Sequence, residues 1–242
     1  MRTSGQTILI TGGSAGIGLA LSKRFITSGN RVIVVGRDPH KLVRLKQDFP
    51  QIETITCELG NRVQRQQLVQ TLKNQYSDLS VVINNAGVQY NYSFLEEQDP
   101  KIIEEIEINL TAPIELCYKL LPMLKAKEEA AIVNISSGLA LVPKTSAAVY
   151  CGTKAGLHLF SKVFRNQLEG TSVRVFEVLP AVVDTEMTRG RGTNKMSPDQ
   201  LVDEFMPAFA KNQYEISIGK VKLLKWMLRI APGFADRLFK RS

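Results

Sequence analysis

Six short runs rich in β-branched residues, each followed by a longer segment of helical periodicity, constrain this chain more than any other feature. The runs are Thr7–Thr11, Arg31–Gly36, 52–57, 80–84, 131–136 and Val173–Leu179, with a weaker one at 215–218. Helical periodicity falls at about 16–28, 39–48, 61–76, 99–127, 149–169 and 197–212. Strand then helix, repeated in this way, predicts an α/β chain: a doubly wound parallel sheet of about seven strands with helices on both faces. Most runs are apolar without alternation, as strands buried on both faces are. A ligand of such a sheet sits at the carboxyl ends of its strands.

A length of 242 residues with 44% hydrophobic content suits one domain, spanning 1–242, with a large core. The apolar triplet at 8–10 is too short for a signal-peptide core, and no stretch approaches the roughly 20 apolar residues that span a bilayer. Cys57, Cys117 and Cys151 are widely spaced and odd in number, which points away from a disulfide framework and toward a reducing cytoplasm. With His40 and His158 the only histidines, no metal site is expected. The net charge of +8 is concentrated at one end. Lys220, Lys222, Lys225, Arg229, Arg237, Lys240 and Arg241 against Asp236 place +6 in residues 220–242, and the nearly neutral remainder argues against a nucleic-acid groove.

The first strand runs into Thr11-Gly12-Gly13-Ser14-Ala15-Gly16-Ile17-Gly18, which opens the first helix. Glycines there permit a tight turn and let the backbone approach a pyrophosphate, which the helix N-terminal amides would hold. Farther along, Tyr150 and Lys154 stand four residues apart on a helical segment, so both side chains share one face. A neighbouring ammonium favours the phenolate, and lowering a phenol by roughly 3 pH units takes about 4 kcal/mol. Such a pair can serve as an acid/base catalyst.

With these residues in place the chain resembles the short-chain dehydrogenases/reductases, in their compact rather than extended branch and with a Rossmann sheet. The likeness runs from about residue 7 to residue 185 and rests on motifs in the expected order. Thr11–Gly18 matches the cofactor turn of that family, and 84–87 (Asn-Asn-Ala-Gly) matches the motif after its fourth strand. Asn109 matches its helix asparagine, Ser137 lies thirteen residues before Tyr150, and Tyr150 with Lys154 completes the set. The resemblance implies that Tyr150 is general acid in reduction and general base in oxidation. It implies that Lys154 lowers the Tyr150 pKa and bonds the nicotinamide ribose, that Ser137 holds the substrate oxygen, and that Asn109 anchors a water in a proton path. Ser136 is the rival to Ser137, and spacing selects between them; for Asn109 the alternative is that it only satisfies backbone groups.

By the same resemblance the cofactor lies against Gly12, Ser14, Gly16, Ile17, Gly18, Asn85, Ala86 and Gly87. Glu58 and Leu59 flank the adenine, and Pro180, Val183 and Thr185 the nicotinamide. Glu58 stands where the family has an aspartate. Gly36 ends the second strand and Arg37 follows it, an order that goes with NADP(H), while NAD(H) is admitted because Asp38 is also present. Asp38 equally suits an N-cap before Pro39. Ala181 replaces a glycine of the family, so its φ must not be positive.

Residues 185–213 read as a substrate lid, with two glycines at its start and Arg189, Arg191 and Lys195 either facing an acidic group or simply solvated. The basic, amphipathic segment 220–242 suits packing over the substrate pocket or a subunit, or else peripheral contact with an anionic membrane. Leu139, Val142, Val88, Tyr90 and Tyr92 suggest an apolar-to-mixed pocket. Segments 132–140 and 150–154 also look similar to a subgroup named for D-alanyl-lipoteichoic-acid operons, a name that identifies no substrate. The reading implied is an NADP(H)-dependent oxidoreductase for a carbonyl or alcohol, acting as a homodimer or homotetramer. A cofactor-binding regulator without useful turnover is the alternative.

Overall fold

A computed structural model describes residues 1–96 and 101–231. Seven parallel strands form one sheet in the order β3-β2-β1-β4-β5-β6-β7. They are β1 (Thr7–Thr11), β2 (Arg31–Gly36), β3 (Glu53–Thr56), β4 (Leu79–Asn84), β5 (Ala130–Ile135), β6 (Val173–Leu179) and β7 (Glu215–Ser217). The expected α/β sheet with helices on both faces is therefore present. Chain order reverses between β1 and β4, which opens a crevice at their carboxyl ends.

Successive side chains of a strand point to opposite faces, which explains the unbroken apolar runs. In β1, Ile8 and Ile10 enter one core while Leu9 enters the other; in β2, Val32 and Val34 are divided in the same way from Ile33 and Val35. The first core receives α1 (Gly16–Thr27), α2 (Pro39–Asp48) and α7 (Pro198–Ala210). Phe25 of α1 meets Phe205 and Phe209 of α7 edge-on. The second core receives α3 (Arg62–Gln75), α5 (Ala112–Lys125) and α6 (Ala148–Gln167).

The segment expected as one helix over 99–127 begins, among described residues, as α4 (Ile102–Ile106), passes through a π-helical turn at Glu107–Thr111, and continues as α5; its first two positions lie outside the described residues. Pro113 supplies a physical reason. It lacks the N–H that an α-helix would offer to the Asn109 carbonyl, so the ladder slips by one residue there. Of the segment expected as a lid, positions within 185–196 and Gln200 line the cleft, while α7 buries Leu201, Val202, Phe205 and Phe209 in the first core.

The tail begins as α8 (Val221–Ile230). Leu224 packs with Val142, Leu139 and Leu228, whereas Leu223, Trp226 and Ile230 are exposed. The rest of the basic segment, 232–242, lies outside the described residues. Among the described residues no helix is long and apolar enough to cross a membrane.

Candidate active site

The Thr11 hydroxyl accepts hydrogen bonds from the Asn85 and Ala86 amides at 3.0 and 3.1 Å, which locks the end of β1 to the end of β4. The Asn85 side chain donates in turn to the Thr11 and Gly12 carbonyls. Gly12 has φ +65, and a β-carbon there would meet the Ala86 Cα at 3.0 Å. Gly16 has φ +51 and faces Thr185 in the same way, at 2.9 Å from its Cγ2. Ala15, at the N-cap of α1, makes no side-chain hydrogen bond to the helix, and no acidic residue occupies its first turn. By contrast Asp38 and Asn61 cap α2 and α3 with their side chains. The first amides of α1 thus stay available to an anion, as a pyrophosphate requires.

A cleft of about 1090 Å³ opens at these carboxyl ends. Its walls include Gly12, Ser14, Gly16, Ile17, Arg37, Glu58, Leu59, Asn85, Ala86, Gly87, Ser137, Tyr150, Lys154, Pro180, Val183 and Thr185. Of the residues expected at the site, Gly18 and Asn109 stand behind the wall. A nicotinamide dinucleotide fits this set: glycines clear the pyrophosphate path, α1 offers free amides, and Arg37 is exposed where a ribose phosphate would lie.

Tyr150 and Lys154 lie one turn apart on α6, both buried. The Lys154 ammonium donates to the Ile135 carbonyl at 2.9 Å and sits 5.7 Å from the Tyr150 ring centroid. Burial pushes Lys154 down to about 8, against the opposing charge of Glu177. Burial also pushes the Tyr150 phenol up to about 12, and the largest downward pull on it is a hydrogen bond with Ser137. Desolvation of the phenolate is the largest influence on Tyr150 and works against the lowering expected from Lys154. Ser137 and Ser136 are now separated. Ser137 reaches the phenol and accepts from the Leu139 amide at 3.1 Å, whereas the Ser136 hydroxyl donates to the Lys154 carbonyl at 3.3 Å.

Asn109 sits in the π-helical turn. Its Oδ1 accepts from the Val88 amide at 2.9 Å, and its Nδ2 donates to the Val88 carbonyl at 2.8 Å and to Thr153 at 3.3 Å. The side chain thus clamps the wall segment that follows Gly87. It thereby satisfies backbone groups, while the Asn109 carbonyl, which Pro113 leaves without its α-helical donor, keeps its acceptor capacity.

At the other end of the cleft, Asp38 accepts from the His40 and Lys41 amides and so caps α2, which leaves Arg37 facing the cleft. Glu58 turns back to accept from the Gly60 amide at 3.2 Å. Thr185 forms a capping box with Thr188. Ala181 is not among the positive-φ residues, as its replacement of glycine requires.

Three features escaped sequence reasoning. Buried Arg65 bonds the Leu59 carbonyl at 2.6 Å and ion-pairs with Glu107 and Glu115, bracing the loop that carries Glu58 and Leu59. Its helix is so polar that it reads as solvated, so no pattern signals the burial. Lys41 lines the cleft and crosses it to Glu186 at 2.6 Å. Finally, His158, Glu177 and Glu215 bring ligand-type atoms within 4.8 Å of one another, a cluster hidden by their separation in sequence. His158 bonds Glu177 at 2.7 Å and the Lys225 ammonium pairs with Glu215, so a lysine already supplies a cation.

A doubly wound sheet with a glycine turn, a buried tyrosine and lysine on one helix and a cleft between them defines an oxidoreductase of the nicotinamide-dependent type. The family model described as short chain dehydrogenase matches residues 6–196, and the chain belongs to that family. It is 39% identical to the uncharacterized oxidoreductase DltE of Bacillus subtilis, over all of this chain and 98% of that one. It is 32% identical to a serine 3-dehydrogenase of Agrobacterium fabrum, over 84% of this chain and 83% of that one. An NADP-dependent 3-hydroxy acid dehydrogenase, YdfG, of Salmonella typhi is 31% identical over 73% of this chain and 72% of its own. A short-chain dehydrogenase of Burkholderia cenocepacia, solved in complex with NADP, superimposes with a TM-score of 0.88, at 26% identity and 99% coverage of both chains.

Proposed function

We propose that this chain is an NADP(H)-dependent oxidoreductase that interconverts a carbonyl and an alcohol, with Tyr150 as the proton-transferring group. The observation that carries the reading is the buried Tyr150 phenol, with Ser137 and the Lys154 ammonium beside it, on the wall of a cleft that begins at the glycine turn. The α1 amides would hold the pyrophosphate, Arg37 the ribose phosphate, and Lys154 the nicotinamide ribose. The bound nicotinamide supplies or accepts the hydride. Tyr150 is protonated at neutral pH and can give its proton to a carbonyl oxygen that Ser137 orients. Lys154, brought to about 8, is matched to returning a proton from solvent. NADP in the Burkholderia cenocepacia structure and in the name of the Salmonella typhi relative supports the choice of cofactor. Three free cysteines fit a reducing compartment such as the cytoplasm.

A screen of carbonyls and alcohols, followed by NADPH absorbance in both directions and repeated with NADH, tests the assignment. Tyr150→Phe should lose nearly all turnover while binding NADPH as before. A variant that keeps its rate would remove Tyr150 from the chemistry, and a wild type inactive on every pair while still binding NADPH would favour a regulator.

A further inference from the structure

The loop between Thr185 and α7 turns one arginine inward. Gly190 and Gly192 have φ of +75 and +66, so the backbone reverses on both sides of Arg191 in a conformation that other residues rarely adopt. The Arg191 side chain lines the cleft. Its Nη2 reaches the Gln89 carbonyl at a long 3.4 Å, and its Nη1 is buried with no hydrogen-bond partner among the described residues. Its neighbours differ. Lys195 is paired with Asp184 at 2.8 Å and bonded to the Thr188 carbonyl at 3.0 Å, and Arg189 is exposed. The solvated alternative for these loop charges therefore holds for Arg189 and fails for Arg191.

A buried guanidinium edge without an acceptor is costly, and a forked donor of this kind matches a carboxylate bidentately. Arg191 and Tyr150 line the same cleft, and the Arg191 charge acts in the direction that lowers the phenol. The buried carboxyl of Glu105 bonds the Tyr90 amide at 3.2 Å and feels the Arg191 charge, which pulls its pKa down against burial, but the two side chains make no direct ion pair among the described residues. Both the Arg191 Nη1 and the Glu105 Oε2 are buried without a hydrogen-bond partner among the described residues, so the guanidinium keeps a free donor edge toward the cleft.

We infer that Arg191 is a specificity residue that binds the carboxylate of the substrate, so that the carbonyl reduced at Tyr150 belongs to a small oxo-carboxylic acid and the alcohol oxidised there to a hydroxy-carboxylic acid. The inference rests on the proposed oxidoreductase reading, and it narrows the substrate to anions. Hydride and proton go to the carbonyl carbon and oxygen, while the carboxylate is bound and unchanged.

Acetoacetate, pyruvate and their methyl esters separate the two ideas. With NADPH, the full chain should turn over at least one acid with kcat/KM ten or more times that of its ester. Arg191→Gln should cut that value by 30-fold or more, mostly through KM, while leaving NADPH affinity and the slow ester reaction as they were. Arg191→Lys should recover part of the loss. Calorimetric titration of acetoacetate and pyruvate into the protein saturated with NADP⁺, where no reduction can occur, gives a readout free of turnover. Heat with wild type and none with Arg191→Gln supports the anchor even if catalysis is absent. Esters used as well as acids, binding equal in both proteins, no binding of either acid, or a loss of NADPH affinity in Arg191→Gln would each overturn it.

Discussion

A β-carbon placed on Gly18 would lie 2.2 Å from the carbonyl oxygen of Gly12. Gly18 never touches the cleft, yet it lets α1 stand close enough to the β1 turn for the free amides to face a phosphate. Here φ is not the constraint; space is. Gly18→Ala must push backbone against backbone, and overpacking of this kind costs about 1–3 kcal/mol or more. The expected outcome is a Tm lower by roughly 5 °C with at least a tenfold loss of NADPH affinity, read by calorimetry and nucleotide fluorescence. Unchanged affinity would show that the turn tolerates displacement.

Lys154 predicts a specific pH dependence of stability. Its folded pKa of about 8 lies below the ordinary 10.5, so between these values the unfolded chain binds more protons than the folded one. Stability therefore rises with pH across that window, by about 3 kcal/mol at its limit. Tyr150 acts in the opposite sense, since a folded pKa of about 12 against 10 makes stability fall as pH rises above 10. Urea denaturation from pH 7.5 to 10 should show the rise in wild type and a flatter profile in Lys154→Met. A rise that persists in the variant would assign it to another group.

The sheet was legible because a strand buried on both faces is apolar through its centre without alternation, as β1 at 8–10, β2 at 32–35, β4 at 81–83 and β5 at 130–133 are. The glycine turn and the spacing of Tyr150 and Lys154 were legible because they are local in sequence. What sequence could not convey was long-range. Arg65 looks solvated until Glu107 and Glu115 close over it, and the Asn109 clamp on Val88 joins positions 21 residues apart. The inward turn of Arg191 depends on the sign of φ at two glycines.

Arg37 predicts cofactor preference. It is exposed, and its one ion pair among the described residues is a long 3.9 Å contact to Glu104, so it can turn to a ribose phosphate. Arg37→Ser should raise the KM for NADPH about tenfold, as losing one charged hydrogen bond of about 1.4 kcal/mol implies. The KM for NADH should stay within twofold. Equal weakening of both cofactors would mean that Arg37 supports the fold of the cleft instead of reading the phosphate.

Asn109→Ala should destabilise and slow the protein together. The change leaves the Val88 amide and carbonyl without their partners at 2.9 and 2.8 Å. Each group left unpaired costs about 1–3 kcal/mol. A lower Tm should accompany a fall in kcat, because the wall after Gly87 would loosen beside Lys154. If Tm falls while kcat is kept, the clamp serves stability alone.

Tyr118 on α5 and Leu159 and Val163 on α6 are large apolar side chains left exposed, and the latter two share one helix face at a four-residue spacing. An apolar face of this kind marks an association surface, and two copies related by a twofold axis would cover it with the same residues on each side. Light scattering coupled to gel filtration should find a dimer or tetramer for wild type. Leu159→Glu with Val163→Glu would set like charges against each other across the axis and should give monomer with its far-ultraviolet dichroism unchanged. A wild-type monomer, or an oligomer that survives both charges, would place the contact on another face.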